Sequence, residues 1–361
     1  MRTMSNVLAA AVAVVAASSA SAATLCATTP AQLQAALMTA AGNGQHDDLR
    51  IRAGTYDLSN VDLVYDPSTP EDFDLDISGG WTPFFENPCG QHLTDDPWQT
   101  TLDGGGNGRI LRLTLDDESD VSIRYVTFLD GHVDPGLGAG LAINYTSDAA
   151  GTITVERNVF MLNQADQSSA LSIQGGSLQH VTNNLFLFNE GGSRAVAYLT
   201  TTAPLGVNFT NNTVLSNSHT NTQQPALQVA AGRVFIANNN FWDNDGFDID
   251  PGTAGDRFIY NNNYQSRRAR GGEVVQDNIS VEPAYQSGFL NFTPVRGSAL
   301  VDAGREPQGF LPLWYLTDLD LNGSPRKVGV HVDIGAFEND RIFANGFETA
   351  GPFGAGPHLV D

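Results

Sequence analysis

The sequence predicts an all-β protein, a parallel β-helix whose coils stack into a solenoid. Three observations predict it. A nine-residue phrase at 155–163 returns at 181–189, 209–217 and 236–244, with weaker copies at 123–131 and 259–264. Successive copies begin 32, 26, 28, 27 and 23 residues apart, at Ile123, Val155, Val181, Phe209, Ile236 and Ile259. Within each copy apolar and polar residues alternate, which is the period of a strand and not of a helix. A second unit falls between copies: Leu141-Ala-Ile143, Leu171-Ser-Ile173, Val196-Ala-Tyr198 and Leu227-Gln-Val229. A propeller blade wants ~40 residues, and a sandwich has no fixed period. One coil cannot bury its own inward side chains, so coils stack at ~4.8 Å and pair with those above and below.

The elements follow in chain order. Residues 1–22 read as an export signal: Arg2, a nearly continuous apolar run over 7–17, then Ala20-Ser21-Ala22. The run is too short to span a bilayer core of ~30 Å, and no later stretch is apolar enough to anchor the chain. The expected location is periplasmic, extracellular or cell-surface. Residues 23–46 hold a cap helix over the first coil. Thr29 and Gln32 form its capping box, Pro30 takes the first helical position, and Leu33, Ala36, Leu37 and Ala40 line one face. The solenoid occupies 47–297, opening with a strand and turn over 50–56. A closing block covers 298–340, and 341–361 form a Gly/Pro-containing flexible tail.

The chain carries 18 Lys and Arg against 40 Asp and Glu, a formal charge of −22. Phosphate backbones would repel it, which excludes nucleic acid as a partner. In an oxidising compartment Cys26 and Cys89 would pair, closing a loop worth ~4 kcal/mol on the chain-entropy account; two free thiols are the alternative. The chain is expected to be a monomer.

Asn158, Asn184, Asn212, Asn239 and Asn262 hold one place in successive copies. The expectation is a structural ladder of stacked amides at a tight corner, where Asn tolerates left-handed backbone. Phe128, Phe160, Phe186, Phe241 and Tyr264 share the inward phase and are expected to form a core stack.

The run from Ala53-Gly54-Thr55-Tyr56 through Ile77-Ser78-Gly79-Gly80-Trp81 to Thr101-Leu102-Asp103-Gly104-Gly105-Gly106 resembles secreted bacterial pectin-lyase-like solenoids. Ser298-Ala299-Leu300-Val301-Asp302-Ala303-Gly304, the stretch 318–326 and Val332-Asp333-Ile334-Gly335-Ala336-Phe337-Glu338 resemble the choice-of-anchor Q domain. The resemblance implies a right-handed coil, as parallel crossovers prefer, with the closing block at the C-terminal end.

Relatives of this kind that cleave acidic glycans use Arg or Lys beside calcium, or several aspartates with Gly-His-Gly and Arg-x-Lys. Here Gly131-His132-Val133 lacks the second glycine and Lys327 directly follows Arg326, so the hydrolase set does not carry over. Asp47-Asp48 and Asp116-Asp117-Glu118 read as solvated turns. Asp243, Asp245, Asp248 and Asp250, spaced around Gly246, offer oxygen ligands of the kind that calcium takes. Arg267, Arg268 and Arg270 follow one coil later and are the only candidate catalytic residues; alternatively they neutralise those acids. Asp318, Asp320 and Asn322 imitate the start of a calcium loop, but Gly329 stands where a closing Glu would be needed. A structural role is expected, with Asp333 and Glu338 pairing Arg326.

No cofactor is required by this reading. The expected function is a non-catalytic surface or extracellular protein that presents a long face to carbohydrate or another macromolecule. The alternative is a calcium-dependent lyase acting on an acidic polysaccharide.

Overall fold

A computed structural model describes residues 22–67, 73–115, 119–145, 151–221, 223–307 and 314–339. The expected export signal, up to residue 21, the acids at 116–118 and the expected tail from 341 lie outside the described residues. The chain winds through about seven turns of a parallel β-solenoid. Four sheets run along its axis: one of 11 strands, two of seven and one of four. Among the described residues, every pairing between strands is parallel except the hairpin in which Asn87–His92 folds back on Leu75–Phe84.

The phrases stack in register. On the long sheet Val155 pairs with Val181, Val181 with Phe209, Phe209 with Ile236 and Ile236 with Ile259, all fully buried. The second unit needs one correction. Leu171 pairs with Ala197 and Ile173 with Leu199, so the third copy is Ala197-Tyr198-Leu199 and not Val196-Ala-Tyr198. A slip of one residue would turn Tyr198 inward and Leu199 outward, and burial of Leu199 forbids it.

Two amide ladders run through the corners. Asn158 Nδ2 donates to Asn184 Oδ1 at 3.2 Å, Asn184 to Asn212 at 3.0 Å, Asn212 to Asn239 at 3.1 Å and Asn239 to Asn262 at 2.9 Å. Asn278 adds a last rung, accepting from Asn262 at 3.0 Å. The second ladder joins Asn163, Asn189, Asn217 and Asn244 at 2.9–3.0 Å. Its members close each recurring phrase, a visible signal that the sequence reading passed over. Left-handed backbone falls one residue before each first-ladder amide, at Arg157, Asn183, Asn211, Asn238 and Asn261, and not on the ladder itself. The ladder residue turns its amide inward to its own corner's carbonyls and to the next coil, while the residue before it makes the bend and faces outward.

Phe128, Phe160 and Phe186 stack with ring centroids 5.0 and 4.9 Å apart. The next coil has Val214 in that column, and Phe209 from the neighbouring strand fills the gap, 6.0 Å from both Phe186 and Phe241. Tyr264 ends the column only partly buried.

At the front, helix Pro30–Ala40 lays Leu33, Ala36, Leu37 and Ala40 on the first coils. Thr29 Oγ1 accepts from Gln32 N at 3.3 Å, but Gln32 Oε1 reaches past Thr29 to the backbone N and hydroxyl of Thr28. The segment before the helix, Ala23–Ala27, is a strand that starts the long sheet by pairing with Asp47–Arg52. Cys26 and Cys89 form a disulfide that ties this first strand to the hairpin. Asp47 and Asp48 belong to strand Asp47–Arg52 and not to a solvated turn; Asp47 is buried under a 2.7 Å bond from Asn43.

The closing block meets the solenoid from its side. Asn183 Nδ2 donates to Leu319 O at 2.9 Å, Asn238 Nδ2 to Arg305 O at 2.8 Å and Asn261 Nδ2 to Ala303 O at 3.1 Å, so left-handed corner residues of separate coils hold it. Leu321, Ala336 and Phe337 pack on Val159, Leu185, Leu187 and Leu215, the outward side chains of a seven-stranded sheet. At the far end Val275 continues the inward column below Ile259, yet it is 39% exposed.

Candidate functional site

The acids and arginines singled out in the sequence meet at the last coil, but not as an open metal site. Asp248 accepts from Asn244 Nδ2 at 3.0 Å and from the backbone N of Gln265 and Ser266 at 2.7 and 2.9 Å. Burial lifts its carboxyl above the usual range despite those bonds. Asp250 takes Arg270 through two bonds, Nε at 2.9 Å and Nη2 at 2.5 Å, and Arg268 Nη1 at 3.1 Å. Burial works to raise this carboxyl too, but the Arg270 hydrogen bonds and both positive charges outweigh it and hold it low. Arg267 lies 3.3 Å from Glu273. Asp243 accepts from Ser216 Oγ at 3.0 Å and so is engaged by the neighbouring coil, while Asp245 is tied through its backbone N to Asn217 O. Among the described residues no three His, Cys, Asp or Glu side chains gather where they could hold a metal ion. The arginines neutralise acids and clamp the end of a seven-stranded sheet.

The closing block holds a buried charge cluster. Arg326 sits 3.5 Å from Glu338 and donates to the backbone carbonyl of Asp333 at 2.6 Å. The Asp333 carboxylate instead accepts from the backbone N of Asp302 and Asn339, so only Glu338 pairs Arg326 by its carboxylate. Asp320 receives the backbone N of Ser324 and Glu338, each at 2.8 Å. Burial raises all three carboxyls and lowers the guanidinium. Arg326 Nη1 also donates to Asn183 Oδ1 of the solenoid at 3.5 Å, so the cluster braces the block against the coils.

An open site lies on the outer face of the long sheet. His180, Asn208, Phe235 and Phe258 occupy one outward column, each paired in register with the next. Strand alternation puts them there, because each directly precedes the inward residue that opens its phrase. Asn208 Nδ2 donates to His180 Nδ1 at 3.1 Å, which leaves the imidazole proton on Nε2. Burial pushes the His180 pKa down to about 4, so the ring is neutral near pH 7. Phe235 and Phe258 stack at 4.7 Å, and the Arg233 guanidinium lies 4.9 Å from the centre of the Phe235 ring.

Trp314 and Tyr315 wall this column. Tyr315 reaches His180 at 5.3 Å between ring centroids and Trp314 reaches Phe235 at 6.2 Å. With Leu178, Leu205 and Arg233 they bound a groove of about 300 Å³. Tyr315, 43% exposed, is the open aromatic of the groove, because Phe235 and Trp314 are buried against each other; an amide, an imidazole N–H and a guanidinium complete the lining, which carries no carboxylate. The sequence reading missed these residues, since outward positions vary from coil to coil. Their signal was only the place before each phrase. No protein-family model matches the chain, and no curated protein matches it. Among the described residues no helix is long and apolar enough to cross a membrane.

Proposed function

We propose that this is an exported, non-catalytic, pectin-lyase-like solenoid that binds carbohydrate along its long sheet, with a choice-of-anchor Q-type block bracing its flank. The observation that carries the reading is the outward column of His180, Asn208 and Phe235 walled by Trp314 and Tyr315. Such a groove offers the exposed Tyr315 ring for the C–H face of a pyranose and fixed polar groups for its hydroxyls, the composition expected of a small-ligand site. The apolar start and the Cys26–Cys89 disulfide support export to an oxidising compartment. An eliminating lyase would need a free basic side chain beside a metal, whereas Arg268 and Arg270 are engaged by Asp250.

The test is calorimetric titration of the mature chain with a panel of neutral and uronic-acid oligosaccharides. At least one should bind, and Tyr315→Ala should weaken it about tenfold, a loss of ~1.4 kcal/mol. Binding unchanged in that variant would remove the groove from the account. Calcium-dependent release of unsaturated products from a uronan would replace binding by elimination.

A further inference from the structure

A second pocket, of about 510 Å³, lies on another face of the molecule, where the solenoid meets the closing block. Asp96, Trp98, Phe289, Asn291, Asn322 and Phe337 belong to its lining. We propose that it is an independent subsite for an uncharged pyranose, so that the chain holds glycan at two places and can bridge two strands of it.

The pocket combines the two things that such a sugar needs. Trp98, partly buried at the foot of the site, and Phe289, 94% exposed at its rim, present aromatic surface to the apolar face of a ring. Around them stand polar groups already oriented by the protein. Asp96 caps the short 3-10 helix Pro97–Gln99, accepting from Trp98 N at 3.0 Å and from Gln99 Nε2 at 3.1 Å. Asn291 Oδ1 accepts from Thr293 N at 3.1 Å, and Asn322 Nδ2 donates to Thr293 Oγ1 at 3.3 Å. Those bonds leave the Asn291 amide nitrogen, the Asn322 carbonyl oxygen and remaining Asp96 lone pairs for a ligand's hydroxyls. Because the bonds also fix the rotamers, little ordering remains to be done on binding.

Charge selects the sugar class. The lining contains the Asp96 carboxylate and no Lys, Arg or His, in a chain of formal charge −22. A uronate or a phosphate would meet repulsion without a counter-charge. The groove on the long sheet has the opposite endowment, with Arg233 and no acid. The two sites therefore differ in the charge they tolerate.

The experiment is titration of the full mature chain with cellohexaose, xylohexaose and mannohexaose, and with hexagalacturonate as the charged control. At least one neutral hexasaccharide should bind, in the wild type and equally in Arg233→Ala. Phe289→Ala should weaken it tenfold or more; Phe289 is too exposed for its loss to affect folding. Asn322→Ala should weaken it as well, with an unchanged melting curve as the control. Failure of every neutral hexasaccharide to bind overturns the proposal, and so does binding that Phe289→Ala leaves unaltered. Loss of binding in Tyr315→Ala together with indifference to Phe289→Ala would assign neutral sugar to the first groove instead.

Discussion

The two faces of the long sheet obey different rules. Inward, the column through Val155, Val181, Phe209, Ile236 and Ile259 is apolar at every level and fully buried. Outward, one position along each strand, the column runs Asp48, Asp76, Ser122, Thr154, His180, Asn208, Phe235 and Phe258. It passes from acid through hydroxyl and imidazole to aromatic within one sheet. Stacking explains the contrast. An inward side chain must fit the copies above and below it at one strand spacing, so each level constrains the next. An outward side chain faces solvent or whatever crosses the sheet, and it is free to carry recognition.

The sharpest way to break the contrast is to place the same change on each side. Asn212→Ala removes an inward amide that accepts from Asn184 and donates to Val181 O and Asn239 Oδ1. It should cost about 3–5 kcal/mol in a denaturant melt, since several buried partners lose their bonds at ~1–3 kcal/mol each. Asn208→Ala, four residues earlier but facing outward, should cost only about 1 kcal/mol while weakening saccharide binding. Equal costs for the two would erase the distinction between ladder and face.

The flank brace comes next. Arg326→Ala strands the buried Glu338 carboxylate, a loss of about 3 kcal/mol by the usual cost of breaking a buried pair. Thermal unfolding measures it. Because Trp314 and Tyr315 belong to the same side structure, glycan affinity should fall with the melting temperature; an unchanged melting curve would show that the cluster braces nothing.

The last test is a titration. Folded His180 has its pKa depressed to about 4, against an ordinary value of 6.5. The unfolded chain therefore binds the proton that the folded chain refuses, and this group's contribution to stability is lost as the pH falls from 6.5 towards 4. His180→Gln should flatten that part of the melting-temperature profile. A profile identical to wild type between those limits would mean that the imidazole is not desolvated beneath Tyr315.

What could be read from the chain alone was whatever repeats. The coil period, the strand alternation, the rungs at Asn158, Asn184, Asn212, Asn239 and Asn262, and most of the phenylalanine column all follow from neighbours one coil apart, about 25 residues away in sequence, which imprint a period. The second ladder, from Asn163 to Asn244, was equally periodic. The left-handed corner was misplaced by one residue, because adjacent positions such as Asn183 and Asn184 are chemically alike and only backbone geometry separates them. The arginines at 267–270 and the acids at 243–250 looked like chemistry, but tertiary structure turned Asp250 against Arg268 and Arg270. It likewise carried Trp314 and Tyr315 to His180 and Phe235, across a sequence gap of 135 residues between His180 and Tyr315. A segment laid along the flank touches each coil once and leaves no repeat behind, so both candidate grooves came into view only when the chain was folded.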